Sequence, residues 1–118
     1  VSLNPFLLTY SNVIWKKTLS LRPVPTIFVD MHADAQESSG YILLDRFVRR
    51  PNKSLAKKTR ELAEIFGITV CNDDTPKEYA TDDGDRTLTG ALYNLARMHA
   101  FVVELGGPMV VHKEFEDL

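Results

Sequence analysis

Cysteine is almost absent from this sequence: Cys71 is the single one, so no internal disulfide can form. Because no disulfide requires an oxidising compartment, we expect a cytoplasmic protein. No apolar run approaches the about 18 residues of a transmembrane helix, and no basic start precedes an apolar segment at the N-terminus, so neither a membrane span nor a signal peptide is predicted. Neither sign of charge dominates, because 14 basic and 16 acidic residues leave a net charge of −2. This balance gives no electrostatic reason to expect nucleic acid or an anionic membrane as a partner.

The remaining composition is that of a globular domain. Apolar residues make up 44% of the sequence and charged residues 25%, which is typical of a soluble folded chain. The length of 118 residues predicts a single domain over 1–118. Because the sequence begins at Val1 rather than Met, we expect either processing or a piece of a longer protein.

Short apolar segments alternate with helical patterns along the chain. The predicted strands cover residues 26–29, 41–44, 68–71 and 100–103. One helix is predicted between Ser54, as its N-cap, and Gly67, and another over 87–98. Residues 6–18 fit either a helix or an irregular lead-in, and the polar segment 72–85 is predicted to be a loop. The alternation favours an α/β fold with a largely parallel (mixed) sheet flanked by helices.

Chemically active side chains follow two of these predicted strands. Asp30 and His32 come directly after the first strand, and Glu104 comes directly after the last. Because sites in open α/β sheets form at the carboxyl ends of the strands, we expect His32 and Glu104 to converge within about 10 Å at one edge of the sheet. The simpler alternative is that such acids only cap helices or form turns, and Asp34 and Glu37 do have the spacing of a capping box.

Two short motifs at these positions resemble those of one enzyme family. Asp30-Met31-His32 resembles the Asp-Leu-His motif of the succinylglutamate desuccinylase/aspartoacylase family, the deacylase branch of the zinc carboxypeptidases. Glu104-Leu105-Gly106-Gly107 resembles the Glu-Leu-Gly-Gly segment of the same family, in the correct order downstream. The resemblance spans about residues 26–110, from the first predicted strand to just past the second motif.

The resemblance implies a fold, a cofactor and a reaction. The fold is part of a zinc carboxypeptidase-like domain, and the cofactor is one catalytic Zn²⁺. The histidine of the family's first motif is a zinc ligand and the glutamate of the second is the general base, so His32 is the implied ligand and Glu104 the implied base. The implied reaction is hydrolysis of an amide, either in an N-acyl amino acid or at a peptide C-terminus, and the residues do not choose between these substrates.

The sequence departs from the family in its metal ligands. The family's other two ligands come from an upstream His-x-x-Glu motif, but here the residues three positions after the histidines are Ala35, Val102 and Phe115. A catalytic zinc needs about three protein ligands. His99 is predicted to start a strand roughly 16 Å from Glu104. His112 either folds back from beyond the Gly106-Gly107-Pro108 turn or, as is more common for such a histidine, lies on the surface. We therefore expect the C-terminal part of a larger catalytic domain, and the alternative is a non-catalytic α/β binding or interaction module that has lost its metal.

Other charged residues have candidate roles around this site. Asp30 either orients a ligand or caps the strand end. Arg46, Arg49 and Arg50 are candidates to hold a substrate carboxylate, although such a cluster is more often a solvated surface. The Asn-Arg pair with which the family grips its substrate is not found in the sequence.

Overall fold

The computed structural model describes residues 5–33, 39–72 and 74–106. In chain order its elements are α1 (Pro5–Ser20), β1 (Ile27–His32), β2 (Tyr41–Leu44), α2 (Lys53–Glu64), β3 (Thr69–Asn72), α3 (Pro76–Thr81), a short 3₁₀ helix (Gly84–Arg86), α4 (Leu88–Asn94) and β4 (His99–Glu104). The predictions for the Asp34–Glu37 spacing and for His112 lie outside the described residues.

The four strands form one mixed sheet in the order β1-β4-β2-β3. β1 pairs with β4 and β2 pairs with β3 in parallel, whereas β2 and β4 are antiparallel. The predicted α/β class is therefore confirmed as a mixed sheet flanked by helices. The antiparallel pairing has a consequence for the site, because the carboxyl end of β2 points away from the carboxyl ends of β1 and β4.

One face of the sheet carries the larger apolar cluster. Ile42, Phe101 and Val103 are almost fully buried there, together with Ala63 of α2. Phe66, just after α2, contacts the Phe101 ring edge-to-face at 5.8 Å between ring centroids. Since alternate residues of a strand point to opposite faces, the even-numbered residues of β1 and β4 belong to the other face.

The second face is covered only in part. Its apolar cluster joins Ala100 and Phe28 of the sheet to Leu92 of α4 and Trp15 of α1. Continuing along β1 and β4, the same face carries Asp30 and His32 on β1 and Val102 and Glu104 on β4, and these residues line an open cleft. The helices thus bury one half of this face and leave the other half accessible.

Local signals explain several element boundaries. α2 is capped by Asn52, whose side-chain oxygen accepts a 3.0 Å hydrogen bond from the Leu55 amide, so the predicted cap at Ser54 is wrong. Gly67 follows the helix with φ +72°, the left-handed conformation predicted for it. α4 ends at Asn94 rather than 98, and Arg97 just beyond it has φ +56°, which is incompatible with continuing the helix.

The predicted loop over 72–85 is wrong, because part of it is helical. Thr75 and Glu78 form a capping box, with the Thr75 hydroxyl accepting from the Glu78 amide, and Pro76 occupies the first turn. These residues start α3, which buries Tyr79. Near the N-terminus, residues 6–18, which fitted either a helix or an irregular lead-in, belong to the helix α1. Across the described ranges, no helix has the length and apolar content needed to cross a bilayer.

Candidate active site

β1 carries Asp30 and His32 within the strand rather than beyond it. The strand extends to His32, three residues further than the predicted end. Because the side chains of a strand alternate between faces, residues two apart share a face, and Asp30 and His32 both point to the open half of the sheet. The strand itself therefore positions the two side chains.

His32 and Glu104 are register partners in the parallel pairing of β1 with β4. The His32 Nδ1 atom lies 3.6 Å from Glu104 Oε1. The prediction that these two side chains converge is confirmed. Their proximity follows from the register of two neighbouring strands, which holds both side chains on one face.

Asp30 contacts the opposite side of the His32 ring. Its Oδ2 lies 3.0 Å from His32 Nε2, within hydrogen-bonding distance. Since an ionised carboxylate only accepts hydrogen bonds, a neutral ring that donates to Asp30 does so through Nε2–H and has Nδ1 as its acceptor. Of the two predicted roles for Asp30, this contact favours orientation of the imidazole ring. The lone pair of Nδ1 then faces the carboxylate of Glu104.

The Glu104 carboxylate lies deeper than the imidazole. Its side chain is 14% exposed, compared with 48% for His32. Glu104 Oε2 is buried and accepts no hydrogen bond from any residue in the described ranges. Buried acceptors normally have a donor, so Oε2 is an oxygen suited to take a proton or a cation from a bound molecule. A neutral His32 ring with Nδ1 as its acceptor and the Glu104 carboxylate together direct two acceptors to the same point in the cleft.

These residues line a cleft of about 930 Å³. Phe28, Leu43 and Val102 contribute apolar sheet residues, and Tyr10 and Ile14 contribute from α1. The remaining lining comes from Ser11 of α1, from Asp45 after β2, and from residues between Thr81, the end of α3, and Thr89, in the first turn of α4. The volume is within the range of small-molecule sites.

The described residues do not complete a metal centre. They contain no group of three His, Cys, Asp or Glu side chains arranged to hold a metal ion. His99 begins β4, as predicted, and its Nδ1 lies 2.9 Å from the Thr59 hydroxyl on the covered side of the sheet. Cys71 lies on β3, where its thiol donates to the Ile42 carbonyl oxygen at 3.4 Å. His32 is therefore the imidazole available at the cleft in the described ranges.

The three candidate arginines do not line this cleft. Arg46 Nε donates to the Asp74 carbonyl oxygen at 2.9 Å, and Arg49 and Arg50 line a separate cavity of about 390 Å³. In the described ranges, the arginine that lines the cleft is Arg86, at the end of the 3₁₀ helix, and it also borders the smaller cavity. Its Nε lies 3.7 Å from Asp83 Oδ1. The local sequence around Arg86 contains no signal that predicts this position.

Asp45 is a lining residue that sequence reasoning missed and had a signal to find. It directly follows the apolar strand β2, the same pattern that drew attention to Asp30 and Glu104. Asp45 is buried and accepts a hydrogen bond from the Tyr79 hydroxyl. Because β2 runs antiparallel to β4, Asp45 lies at the opposite end of the cleft from Glu104.

No family model matches the chain, and neither the curated proteins nor the solved structures give a significant match. Support for a function therefore comes from the two motifs and from the geometry of the cleft. The relevant geometry is the arrangement of Asp30, His32 and Glu104 on one face of the sheet.

Proposed function

We propose that the chain is part of a zinc-dependent hydrolase of amide bonds, with His32 as one zinc ligand and Glu104 as the general base. The enzyme would be of the N-acyl amino acid deacylase or carboxypeptidase type, on a zinc carboxypeptidase-like fold. The observation that carries this proposal is the pairing of His32 with Glu104, with Nδ1 3.6 Å from Oε1. It supports the roles implied by the two motifs, because a ligand and a base must flank the same reacting atoms.

The residues present fit part of a zinc site. Neutral imidazole is a common zinc ligand, and a ligating ring usually gives its other N–H to a carboxylate, which is the position of Asp30 beside His32 Nε2. The buried Oε2 of Glu104, which accepts no hydrogen bond from the described residues, fits a proton acceptor. A complete site needs about two more protein ligands, and the proposal requires them from outside the described residues.

The roles of the chain's own residues follow from this geometry. A zinc ion, when bound, supplies Lewis-acid polarisation of the amide carbonyl and makes the attacking water more acidic. Glu104 accepts a proton from that water as its oxygen bonds to the carbonyl carbon. Glu104 then returns the proton to the amide nitrogen as the carbon–nitrogen bond breaks. Asp30 holds the His32 ring so that Nδ1 faces the reacting atoms.

The second candidate is a non-catalytic α/β binding module. The observation that favours it is that the described ranges hold no set of three metal-ligating side chains. In that case Asp30, His32 and Glu104 form a polar cluster at the end of a ligand cleft without chemistry. The two candidates differ in whether Glu104 has a kinetic role.

The deciding experiment compares Glu104→Gln with His32→Ala in the intact protein. Glutamine is nearly isosteric with glutamate but accepts no proton from water at neutral pH, so kcat is expected to fall about 10²- to 10⁴-fold. Zinc content is expected to stay unchanged in this variant and to be lost in His32→Ala. Glu61→Gln, on the exposed face of α2, is the matched control and leaves both quantities unchanged.

Three results would count against the proposal. A Glu104→Gln protein with normal kcat removes Glu104 from the chemistry, whereas an intact native protein that hydrolyses no amide favours the binding module. A Glu104→Gln protein that is inactive only because its zinc is gone makes Glu104 a ligand rather than the base.

A further inference from the structure

We propose that the cleft holds the acyl part of the substrate as an extended, uncharged apolar chain of roughly eight to ten carbons. This inference rests on the proposed function, because it takes the reacting amide to lie beside His32 and Glu104. From that end the acyl chain lies over Phe28, Val102 and Leu43, and its far end lies near Asp45. These apolar residues would set the specificity for the acyl group.

The apolar floor of the cleft, formed by Phe28, Val102 and Leu43, is continuous because of the strand register. Val102 pairs with Asp30 on one side and with Leu43 on the other. Phe28 precedes Asp30 by two residues on β1 and so shares its face. The three apolar side chains are partly buried and all line the cleft. They form one surface that begins next to the His32–Glu104 pair.

The length of this floor determines how long an acyl chain the cleft can hold. Leu44 pairs with Phe101, so Asp45 lies near the level of Ala100, about four residues along β4 from Glu104. At about 3.3 Å per residue this separation is roughly 13 Å. Carbon–carbon single bonds are about 1.5 Å long, and a staggered chain advances somewhat less per bond, so roughly ten carbons span the floor.

α1 provides an apolar wall above this floor. Tyr10 and Ile14 are four residues apart and therefore lie on the same side of the helix. Both line the cleft, and Tyr10 is 59% exposed although it is a large aromatic residue. Leu88, at the start of α4, adds a third apolar side chain. A chain bound on the floor would cover these side chains.

The charges of the cleft decide against an anionic acyl group. Among the described residues, five carboxylates line it, contributed by Asp30, Asp45, Asp82, Asp83 and Glu104, against one guanidinium, that of Arg86. Arg86 Nε already faces Asp83 at 3.7 Å. A short dicarboxylic acyl group would place its negative charge among like charges and over apolar side chains, where its desolvation is not compensated. An uncharged acyl chain avoids both the repulsion between like charges and the uncompensated desolvation.

The test is a binding series on the full chain with neutral straight-chain acyl amides from butanamide to dodecanamide. Binding is followed by NMR through the methyl signals of Val102 and Leu43. We expect the dissociation constant to fall about fourfold for each added methylene and to level off near ten carbons. Succinamate, which carries a carboxylate at the far end, is expected to bind no better than butanamide.

Two floor variants and one control make the series specific. Val102→Trp fills the floor and is expected to move the plateau to shorter chains, while Leu43→Asp is expected to abolish the gain per methylene. Val13 of α1 is 61% exposed and does not line the cleft, so Val13→Asp adds the same charge elsewhere and is expected to leave the binding series unchanged. The proton NMR dispersion of each variant shows whether it is folded, and the two floor variants give independent readings.

Failure of this inference and failure of the proposed function give different results. Affinity that is independent of chain length, or tighter binding of succinamate, overturns the acyl-chain inference even if the intact protein hydrolyses amides. Tighter binding of straight-chain alkylammonium ions than of the neutral amides also overturns it, because the carboxylates would then be the recognition element. The expected binding series together with no amide hydrolysis by the intact protein retains the acyl-chain site and rejects the hydrolase.

Discussion

The Tyr79 hydroxyl donates a 2.8 Å hydrogen bond to Asp45 Oδ1, and both side chains are buried. The bond joins α3 to the end of β2, and so it ties the segment above the cleft to the sheet. Hydrogen bonds to charged groups contribute about 1.5–3 kcal/mol to stability. The Asp45 side chain at the far end of the cleft is therefore held by a helix that the sequence pattern did not predict.

Tyr79→Phe removes this hydrogen bond while retaining the aromatic ring. We expect the free energy of unfolding to fall by about 1.5–3 kcal/mol, measured by urea denaturation. Tyr10→Phe is the matched control, because Tyr10 is largely exposed, and its effect should stay within about 0.5 kcal/mol. Equal stabilities of the two variants would mean that the Tyr79–Asp45 bond is energetically neutral.

Gly90 is expected to be intolerant of a side chain for steric reasons. A Cβ at this position would contact the Gly84 carbonyl oxygen and would lie 2.7 Å from the Thr87 hydroxyl. We expect Gly90→Ala to destabilise the protein by about 1–3 kcal/mol or more, as a lower melting temperature in calorimetry. Gly67→Ala separates sterics from backbone strain, since a Cβ there meets no atom within 4 Å but φ is +72°; its cost should be about 1–2 kcal/mol.

The raised pKa of the Tyr93 hydroxyl leads us to expect a loss of protein stability at high pH. Burial, followed by the nearby Asp45 carboxylate, raises the pKa of Tyr93 to about 12. The unfolded chain releases this proton near pH 10, so between about pH 10 and 12 the unfolded state binds fewer protons and the free energy of unfolding falls by up to about 1.4 kcal/mol per pH unit. Below pH 10 the contribution is fully present.

Tyr93→Phe isolates this contribution from the lysines that titrate in the same range. Phenylalanine preserves the stacking on Phe47, where the ring centroids are 4.3 Å apart. The difference in unfolding free energy between the native chain and the variant should be constant up to pH 10 and should shift in favour of the variant above it. A difference that does not change with pH would show that Tyr93 titrates alike in both states.

Asp30 is predicted to set the protonation pattern of His32. In the native chain at a pH where the ring is neutral, ¹⁵N NMR should report mainly Nε2–H, because Asp30 Oδ2 lies 3.0 Å from that nitrogen. Asp30→Ala should shift the ring towards a mixture of tautomers, and in the intact protein it should lower zinc affinity about 10- to 100-fold. Asp82→Ala removes another cleft carboxylate and is expected to leave the tautomer unchanged.

The 118-residue chain by itself is predicted to retain zinc poorly. Its described residues hold no set of three metal-ligating side chains, and about three are needed. Metal analysis after dialysis should give well under one zinc per chain. Stoichiometric, tightly held zinc would instead show that the chain contains a full ligand set, and His112 would be the first residue to substitute.

The parts of the fold that local patterns determine could be predicted from the sequence. Ile27-Phe28-Val29 predicted a strand, and Gly67 predicted the end of α2, because both signals lie within a few residues. The signal for α3 was also local, in Thr75-Pro76 and Glu78, but six residues provide little periodicity to support it. Short helices are therefore found through their caps rather than through their apolar pattern.

Features that depend on strand pairing could not be predicted in the same way. The convergence of His32 with Glu104 was predictable because both follow apolar segments that pair in parallel. The antiparallel pairing of β2 with β4 leaves no mark in either strand, and it sends Asp45 to the far end of the cleft. The approach of Arg86 to the cleft depends on how α3 and the 3₁₀ helix pack, which no local pattern encodes.

The position of β1 at one edge of the sheet also determines how its amides exchange with solvent. The Thr26 carbonyl accepts from His99 N and the His32 carbonyl from Leu105 N, so the even-numbered residues of β1 direct their backbone groups to β4. The amides of Ile27, Val29 and Met31 point to the side on which the described sheet has no further strand. Hydrogen–deuterium exchange along β1 should therefore alternate between slow and fast with a period of two residues. Any strand that pairs with this edge would turn the alternation into uniform protection.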